Sequence, residues 1–379
     1  MRLLYVASDQ QVPGRTGGSV HVLEVARGLA ALGHEVHAVI SRAPGRPERE
    51  EDGGVHWHRV AWLPPHRLFR FRARAAVARI ADASRPDAVL ERYYNFGGEG
   101  IALAAERGLP SLLEVNSPLV DHPGSLKGAL DRLLLIRPMR RYREWQCRRA
   151  TALVAPLPEI VPAFARAKTE TVSWGANVSA FAPERRSQEL RRRLGVPEGA
   201  VVAVFSGSFR PWHGVHVLEA AARQLERRAD LYFLLAGGPD QGPASGYRGR
   251  RLGALPYEHM PELLASADIG VAPYDTARLA QLRLGFYWSP LKVFEYMASA
   301  LPTLTIPRVP LTEIVREGRE GLHVREADPQ SLAGAIERLA DDPALRRALG
   351  ESARTRVVER YSWRQHCEQL ERVLRRIAA

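Results

Sequence analysis

The stretch GFYWSPLKVFEYMASALPT, residues 285 to 303, holds the residue types best placed for chemistry. Ser289 and Pro290 have the types of an N-cap and a first helical residue. The backbone amides of Leu291 and Lys292 are therefore predicted to be free at a helix start, where they attract an anion. Lys292 adds a full positive charge where the helix dipole makes a cation unfavourable, and such a departure from local preference indicates a site.

Glu295 follows Lys292 by three residues and is predicted to lie on the same helix face. Its carboxylate can accept hydrogen bonds from two hydroxyl groups. A phosphate site beside a carboxylate that binds a diol is what a nucleotide diphosphate-sugar requires. The alternative is a salt bridge between the two side chains on a solvated helix.

A second candidate is the stretch FSGSFRPWHGVHVLEA, residues 205 to 220, which joins a predicted strand to a predicted helix. Arg210 and His213 lie in this loop, where both side chains can balance the charge of a leaving diphosphate. The alternative is that each side chain is simply solvated.

A third candidate is the loop PGRTGGSVH, in which Gly17 and Gly18 come directly before a helix. Unpaired amides at such a helix start attract anionic or hydroxyl-bearing ligands. The loop is not GxGxxG, and no acidic residue closes the next strand, which argues against NAD. A plain tight turn is the alternative.

Apolar runs that alternate with helical stretches predict two successive open α/β sheets. Ligands of such sheets collect beyond the carboxyl ends of the strands, so two doubly wound Rossmann-like domains are expected to face a central cleft. The predicted domains are 1–178 and 179–361, the second of which holds the candidate phosphate and diol site, with the C-terminal helix, 362–379, returning to the N-terminal domain.

The composition is that of an ordinary globular chain of 379 residues, with 45% apolar residues and a net charge of +12. Cys147 and Cys367 are far apart and lack a CxxC partner, so neither a disulfide nor a zinc site is predicted. No apolar run approaches the roughly 18 residues that a membrane span needs. A cytoplasmic location is expected.

The segment 122–149 is strongly basic, with eight basic residues against two acidic ones. It can dock on the inner face of an anionic membrane or receive an anionic acceptor, together with Arg67, Arg70, Arg72 and Arg74. An ordinary solvated face is the alternative.

Three stretches of the chain resemble family 4 of the retaining glycosyltransferases, which have the GT-B fold. GGSVHVLEVARGLAALGHEV resembles the family's opening Gly-Gly loop and helix, SGSFRPWHGVHVLEA its phosphate-binding loop, and SPLKVFEYMASALPT its signature of two glutamates. Their order and spacing extend the resemblance over nearly the whole chain, and the last stretch is similar to an SPLK-type variant of the signature.

The resemblance also has departures. The first signature glutamate falls at Tyr287, so its contact with the donor sugar is missing or replaced. The Arg and Lys of the phosphate loop correspond to Ser208 and His213, which leaves Arg210 and Lys292 to restore the charge.

The resemblance and the predicted strand ends together imply which residues bind each substrate. The base is expected to contact backbone near Leu255. Asn116 stands where many family members have a histidine. The acceptor is expected near Gly17, Gly18, Glu91, Arg92, Tyr93 and Asn116, and the donor near Ser208, Leu255, Tyr287, Ser289, Pro290, Leu291 and Glu295, with Arg210, His213 and Lys292 as the catalytic candidates.

The expected function is transfer, with retention, of a hexose or N-acetylhexosamine from a UDP- or GDP-sugar to a hydroxyl of a glycan, glycolipid or small molecule. No Asp-x-Asp motif occurs, so neither a metal clamp nor a cofactor is expected. A nucleotide-sugar epimerase of the same fold is an alternative, although Glu91 and Glu114 make no convincing acid–base pair. A nucleic-acid-binding module is a further alternative, but no aromatic-interleaved basic stripe supports it.

Overall fold

The computed structural model describes residues 1–14, 16–61, 73–95, 97–122, 126–133, 138–287 and 290–379. By their contacts, these described residues divide into two compact units. The N-terminal unit comprises Met1–Trp174, Tyr287 and Trp363–Ala379, and the C-terminal unit comprises Gly175–Phe286 and Pro290–Ser362.

A predominantly parallel sheet forms the centre of the N-terminal unit. Its first strand, RLLYVA, is apolar at almost every position, as a parallel strand buried on both faces must be. Among the described residues its strands are β1 (Arg2–Ala7), β2 (Glu35–Ser41), β3 (Arg49–Asp52), β4 (Val55–Val60), β5 (Ala88–Arg92), β6 (Ser111–Glu114), β7 (Ala152–Ala155) and β8 (Thr169–Thr171), in the spatial order β3-β4-β2-β1-β5-β6-β7-β8. Only β3, in this described part, runs antiparallel to its neighbour, β4.

Helices cover this sheet: α1 (Gly17–Ala31), α2 (Ala73–Ser84), α3 (Glu99–Arg107), α4 (Leu126–Leu133) and α5 (Pro138–Arg149). Helix α1 begins at Gly17, and the Thr16 side chain caps it by accepting a hydrogen bond from the Ser19 amide at 3.2 Å. Its amide end therefore lies directly after the loop that leaves β1.

The C-terminal unit repeats this architecture. Its described strands are β9 (Val201–Ser206), β10 (Leu231–Pro243), β11 (Gly249–Gly253), β12 (Ile269–Ala272), β13 (Thr303–Thr305) and β14 (Gly321–His323), in the order β11-β10-β9-β12-β13-β14. Its described helices are α6 (Gln188–Arg193), α7 (Val215–Gln224), α8 (Met260–Ala265), α9 (Leu291–Ala298), α10 (Leu311–Ile314), α11 (Pro329–Asp341) and α12 (Pro343–Arg360). The predicted fold class of two doubly wound α/β sheets is confirmed.

The last helix, α13 (Trp363–Ala378), belongs to the N-terminal unit and packs on α1. It buries Trp363, Cys367, Leu370 and Val373 along one face, at the spacing of an amphipathic helix. No helix in the described parts of the chain combines the length and apolar character that a membrane span requires.

Each sheet has a point where the strand order reverses. In the N-terminal unit β1 lies between β2 and β5, and in the C-terminal unit β9 lies between β10 and β12. Ligands of open α/β sheets bind beyond the carboxyl ends of the strands at such points. The residues that follow β1, β5, β9 and β12 are therefore the ones to consider for function.

Candidate functional site

The loop after β9 approaches neighbouring backbone closely. Gly207 has φ of +148°, and Gly214, with φ of +72°, ends the loop just before α7. A Cβ atom at Gly214 would collide with the carbonyl oxygen of Pro273, directly after β12. Glycine is therefore required there, and it lets the two loops at the reversal point of the C-terminal sheet pack together.

Helix α9 is held against the central strands by Tyr296. The Tyr296 hydroxyl accepts a hydrogen bond from the Ser206 amide at 2.8 Å, and both groups are buried. Gly270 on β12 makes room for the Tyr296 ring, since a Cβ there would lie 2.6 Å from ring atoms. This anchoring places the start of α9 beside the loop after β9.

The start of α9 differs by one position from the predicted one. Pro290 precedes the helix instead of occupying its first position, and Leu291 is the first helical residue. The amide of Val293 donates to the Pro290 carbonyl at 2.8 Å, so the amides of Leu291 and Lys292 precede the first intrahelical bond. Ser289, the predicted N-cap, lies outside the described residues.

Lys292 is buried, with 9% of its surface exposed, and its Nζ atom lies 4.0 Å from the centre of the Phe205 ring. Within the described part of the chain, this Nζ has no hydrogen-bond acceptor. It lies against the loop after β9, because a Cβ on Gly207 would be only 2.6 Å from it. Burial lowers the pKa of Lys292 to about 7, although the nearby Glu295 carboxylate acts in the opposite direction.

His213, like Lys292, lies close to Gly207. Its Nδ1 would be 3.2 Å from a Cβ on Gly207, and in the described residues this nitrogen also lacks a hydrogen-bond partner. Burial, with the charges of Lys292 and Arg210, lowers the pKa of His213 to about 2. His213 is therefore neutral in the free protein and offers a hydrogen bond instead of a charge.

The other residues of the loop after β9 differ in their exposure to solvent. Ser208 and Arg210 are exposed, whereas Trp212 is buried and stacks on Tyr274, with ring centres 5.9 Å apart. The carbonyl of Trp212 accepts a hydrogen bond from the Asp275 amide at 3.0 Å. The loop is thus anchored at Trp212, while the exposed Arg210 side chain can reach a ligand.

Glu295 is only 5% exposed, and its Oε1 atom accepts a hydrogen bond from the Tyr257 hydroxyl at 2.9 Å. Tyr257 is a site residue that sequence analysis missed. It follows Leu255, which is half-buried after β11, by two residues. Because Lys292 and Glu295 are both buried, they are not the solvated pair of the alternative interpretation.

Tyr287 is the residue that the resemblance places at the first signature glutamate. It is buried, and its contacts group it with the N-terminal unit, apart from Glu295 in the C-terminal unit. Burial raises the pKa of Tyr287 well above its usual range, so its phenol stays protonated.

The N-terminal unit has an open pocket of about 890 Å³ at its own reversal point. Residues after β1, β2, β4 and β5 line it, together with the start of α1, and most of them are polar: Ser8, Asp9, Gln10, Gln11, Thr16, Ser19, Ser41, Arg42, Ala43, Pro44, Gly45, Arg46, Ala61 and Tyr94. Sequence analysis predicted a site at this edge but named different residues.

Three predicted acceptor residues, Gly17, Gly18 and Arg92, lie next to residues that line this pocket. Gly18 lies against Gln10 and Arg92, since a Cβ there would be 2.5 Å from Gln10 Oε1 and 3.2 Å from Arg92 Nη2. Arg92 donates to Asp9 at 2.9 Å. Gly17 is the first residue of α1, where the amides are free.

Glu91 has a different environment from the predicted one. Its carboxylate is fully buried and accepts hydrogen bonds from the amides of Gly98 at 2.6 Å and Ile101 at 2.7 Å. These amides are at the start of α3, where they have no acceptor within the helix. Glu91 therefore caps α3 and serves the structure of the N-terminal unit.

Tyr93 and Asn116 are also engaged within the N-terminal unit. Tyr93 is buried, and its hydroxyl donates to Asn95 at 3.1 Å. Asn116 accepts a hydrogen bond from the Trp174 indole at 3.0 Å. Neither residue lines the pocket at the reversal point.

Glu114 belongs to a buried cluster that sequence analysis did not predict. His21 Nε2 lies 2.6 Å from Glu114 Oε1, and His366 Nε2 lies 3.5 Å from the same atom. Burial would raise the pKa of Glu114, but the adjacent His21 and His366 imidazoles outweigh burial and hold it below its usual range, while burial lowers the pKa of His21. The carboxylate stays ionised and links β6 to α1 and α13.

Several arginines of the basic segment have partners. Glu144 accepts from Arg140 at 2.8 Å and from Arg148 at 3.1 Å, and Arg143 is buried beside Asp121. Outside the segment, Arg74 pairs with Glu106, while Arg67, Arg70 and Arg72 lie outside the described residues.

The fold and the site define a protein of two α/β units with a candidate anion site after the central strand of the C-terminal sheet. Residues 200–342 match the family described as "Glycosyl transferases group 1", and residues 16–171 match the "Glycosyl transferase 4-like domain". The chain therefore belongs to the family 4 glycosyltransferases, which have the GT-B fold.

The relatives agree with this assignment. A D-inositol 3-phosphate glycosyltransferase of Corynebacterium urealyticum is 30% identical over 54% of this chain and 50% of that protein. Another of this name, from Kribbella flavida, is 27% identical over 91% of this chain and 87% of its own length. In most of these relatives the match spans about half of their length.

Solved structures share the fold. Sucrose-phosphate synthase of Thermosynechococcus elongatus has a TM-score of 0.76 at 20% identity, with 99% of this chain and 98% of that chain covered. The Anabaena protein HepE, solved with UDP and glucose, has a TM-score of 0.69 at 16% identity, with 99% and 100% covered.

Proposed function

We propose that this protein transfers a hexose or N-acetylhexosamine unit from a UDP- or GDP-sugar to a hydroxyl acceptor, with retention at the anomeric carbon. The observation that carries the proposal is the buried Nζ of Lys292, which lies against the loop after β9 and lacks an acceptor among the described residues. An ammonium group that loses its hydration without gaining a partner is destabilising, so its placement is explained by an anion that binds there.

The diphosphate is assigned to the space around Gly207. Lys292 supplies the positive charge, His213 and the amides of Leu291 and Lys292 supply hydrogen-bond donors, and Arg210 approaches from the solvent side. Charge builds on the diphosphate as the bond to the sugar breaks, so these groups act most strongly in the transition state.

Glu295 is assigned to the ribose diol. Its Oε1 accepts a hydrogen bond from the Tyr257 hydroxyl at 2.9 Å, which orients the carboxylate, and a carboxylate can accept hydrogen bonds from two hydroxyl groups of a diol. Leu255 precedes Tyr257 in the same loop, so the base is assigned to backbone around Leu255. This arrangement keeps the nucleotide within the C-terminal unit.

The chain is assigned to the SPLK-type variant of its family. Ser208 and His213 stand at the two positions where the phosphate loop usually carries cations, and His213 is neutral. Lys292 restores one of the lost charges from the start of α9. With protein cations and helix amides at the diphosphate, we propose that transfer needs neither a metal ion nor a cofactor.

The acceptor is assigned to the pocket after β1 in the N-terminal unit. Its lining of hydroxyl, amide and carboxylate groups suits a polyhydroxylated molecule, such as a small polyol, a glycan or the sugar of a glycolipid. The names of the inositol-phosphate relatives support a polyol.

The test is a thermal-shift screen of the full chain against UDP-, GDP-, dTDP- and ADP-sugars, followed by product analysis with the hit. A ligand at 100 times its Kd stabilises the protein by about 2.7 kcal/mol. We expect a shift with UDP- or GDP-sugars, and a product with retained anomeric configuration by NMR. No response to any nucleotide would contradict the proposal.

An incubation without an acceptor separates sugar transfer from epimerisation. Glu91 caps α3 and Glu114 contacts His21, so neither carboxylate is placed for proton abstraction on a sugar. UDP-GlcNAc incubated without an acceptor should therefore keep its configuration at every ring carbon. Accumulation of an epimer would favour the alternative.

We also propose a peripheral contact with anionic lipid. Arg141 and Arg149 on α5 are exposed, and Leu133, the last residue of α4, is 77% exposed. Each basic residue near an anionic surface contributes on the order of 1 kcal/mol. Sedimentation with phosphatidylserine vesicles but not with phosphatidylcholine vesicles is expected, and equal behaviour with both would remove this contact.

A further inference from the structure

Strands β2 and β4 bring histidines together on one face of the N-terminal sheet. Side chains two residues apart on a strand share a face, so Glu35 and His37 of β2 point the same way, as do His56 and His58 of β4. The parallel register places His37 directly beside His56. The tertiary pairing thus joins two pairs of side chains that are about twenty residues apart in sequence.

The side chains are close enough to share one ion. His37 Nε2 lies 2.9 Å from Glu35 Oε1, and the rings of His37 and His56 stack with centres 4.7 Å apart. One ligand atom from each of Glu35, His37 and His56 lies within 4.8 Å of the other two. Zinc bonds of about 2.0–2.1 Å place tetrahedral ligands about 3.3 Å apart, so the side chains need to close by only about 1.5 Å.

These side chains can move and can be reached from solvent. Side-chain exposure is 48% for Glu35, 13% for His37 and 39% for His56. Small rotations of Glu35 and His56 can therefore close the set around an ion, while the less exposed His37 stays in place.

His58 contacts His37, the least exposed of the three side chains. Its Nε2 lies 3.1 Å from Nδ1 of His37, the nitrogen that faces away from Glu35. A histidine that binds a metal through one nitrogen commonly has the other held by a neighbour, which fixes the ring orientation. On the β3 side, the Glu51 carboxylate lies 3.7 Å from Nδ1 of His56.

We propose that Glu35, His37 and His56 form a binding site for a divalent transition-metal ion, with Zn²⁺ as the expected ion and His58 as a positioning residue. Two imidazoles and one carboxylate suit Zn²⁺, Co²⁺ or Ni²⁺, whereas Mg²⁺ and Ca²⁺ prefer oxygen ligands. The ion joins β2 to β4 and stabilises the β3–β4 edge of the sheet. This site is separate from the diphosphate site and does not depend on the proposed transfer reaction.

The test is a calorimetric titration of the untagged full chain, freed of metal with EDTA and desalted, with ZnCl₂ and separately with MgCl₂. We expect one Zn²⁺ per chain, a rise in Tm with Zn²⁺, and no saturable Mg²⁺ binding. Co²⁺ should give the visible absorption bands of a nitrogen- and oxygen-ligated ion.

Variants then assign the ligands. His37→Ala and His56→Ala should each weaken Zn²⁺ binding at least 100-fold, and Glu35→Gln should weaken it without a change of side-chain shape. His58→Gln, which keeps all three ligands, should cost about 10- to 100-fold. His323→Ala is the matched control, because His323 lies 3.6 Å from Glu317 and belongs to none of the metal-ligand clusters among the described residues, and it should bind Zn²⁺ like the wild type.

Two results would overturn the assignment. One is Zn²⁺ affinity that stays unchanged in the His37→Ala and His56→Ala variants, or that falls equally in His323→Ala. The other is one retained equivalent in a His37→Ala, His56→Ala double variant, which would assign the ion to the buried cluster of His21, Glu114 and His366. The far-ultraviolet circular dichroism spectrum and the metal-free Tm of each variant should equal those of the wild type and so show an intact fold.

Discussion

The carboxyl ends of the two sheets both bury charged side chains, but they treat them differently. In the N-terminal unit the Glu91 carboxylate accepts hydrogen bonds from two backbone amides. In the C-terminal unit the Nζ of Lys292 has no acceptor among the described residues. A buried charged side chain near a strand end is therefore not by itself evidence of a binding site. A buried charge that has no partner in the described protein does indicate a site, because its partner must be a ligand.

The strongest test of this difference is Lys292→Met. We expect kcat/KM to fall by about 10²- to 10³-fold, mostly in kcat, because the lost charge acts as the diphosphate leaves. Tm should equal or exceed that of the wild type, since methionine needs no hydration. Lys168→Met is the matched control, because Lys168 donates to the Arg148 carbonyl at 3.3 Å and so serves structure. Wild-type turnover in Lys292→Met would remove the site.

Glu295→Gln tests the other half of the nucleotide site. The shape is kept, but charge-assisted bonds to the ribose are lost, at about 1.5 to 3 kcal/mol, or 10- to 150-fold in kcat/KM. Tyr257→Phe removes only the hydrogen bond that orients Glu295, so a smaller loss is expected from the same steady-state kinetics. Equal effects of both changes would show that Glu295 serves only to hold Tyr257.

Glu91→Gln tests whether the buried Glu91 carboxylate, which accepts from two backbone amides, stabilises the fold without acting in catalysis. Glutamine can satisfy only one of the two amides at the start of α3, so we expect a loss of about 1 to 3 kcal/mol in the free energy of unfolding. Turnover per folded molecule should stay at the wild-type level. Glu106→Gln, in an exposed pair with Arg74, should cost under about 1 kcal/mol by the same denaturant titration. A stable but inactive Glu91→Gln enzyme would break the comparison.

The pH dependence of UDP binding gives the smallest and most specific effect. With the pKa of Lys292 lowered to about 7 by burial, the amine is charged below pH 7 and neutral above it. A diphosphate selects the charged form, so binding above pH 7 takes up a proton, and affinity should fall about tenfold per pH unit. Calorimetry between pH 7 and 9 should show this slope in the wild type, while Lys292→Met should bind weakly with no such slope.

The same shift has a consequence for stability. Between pH 7 and the ordinary lysine pKa of 10.5, the unfolded chain holds a proton that the folded chain does not. Stability should therefore rise with pH across this window relative to Lys292→Met. Parallel stability curves for the two proteins would mean that Lys292 is charged throughout.

Much of the C-terminal site was predictable because its signals are local. A proline at a helix start, glycines in the loop after a strand, and Lys292 and Glu295 three residues apart all act within a few residues of chain. The small difference at Pro290, one position from the predicted one, reflects the usual uncertainty of helix ends.

The partners of the charged groups were not predictable in the same way. Tyr257 meets Glu295, Glu91 meets the amides of α3, and Glu114 meets His21 only after the sheets form. The patterns Glu-x-His at 35–37 and His-x-His at 56–58 were visible as alternating strand residues, and they could have suggested a shared face. Sequence analysis predicted neither β3 nor β4, so it could not bring the two patterns together.

Local sequence patterns specify the two α/β sheets, the loops that follow their central strands and the residue types in those loops, because strand and helix periodicity and glycine conformations are properties of short segments. The tertiary structure decided which of those residues are left for a ligand. Whether a buried charge is satisfied depends on atoms far away in the chain, and only the packed fold specifies them: it surrounds Glu91 with amides and leaves Lys292 beside an aromatic ring.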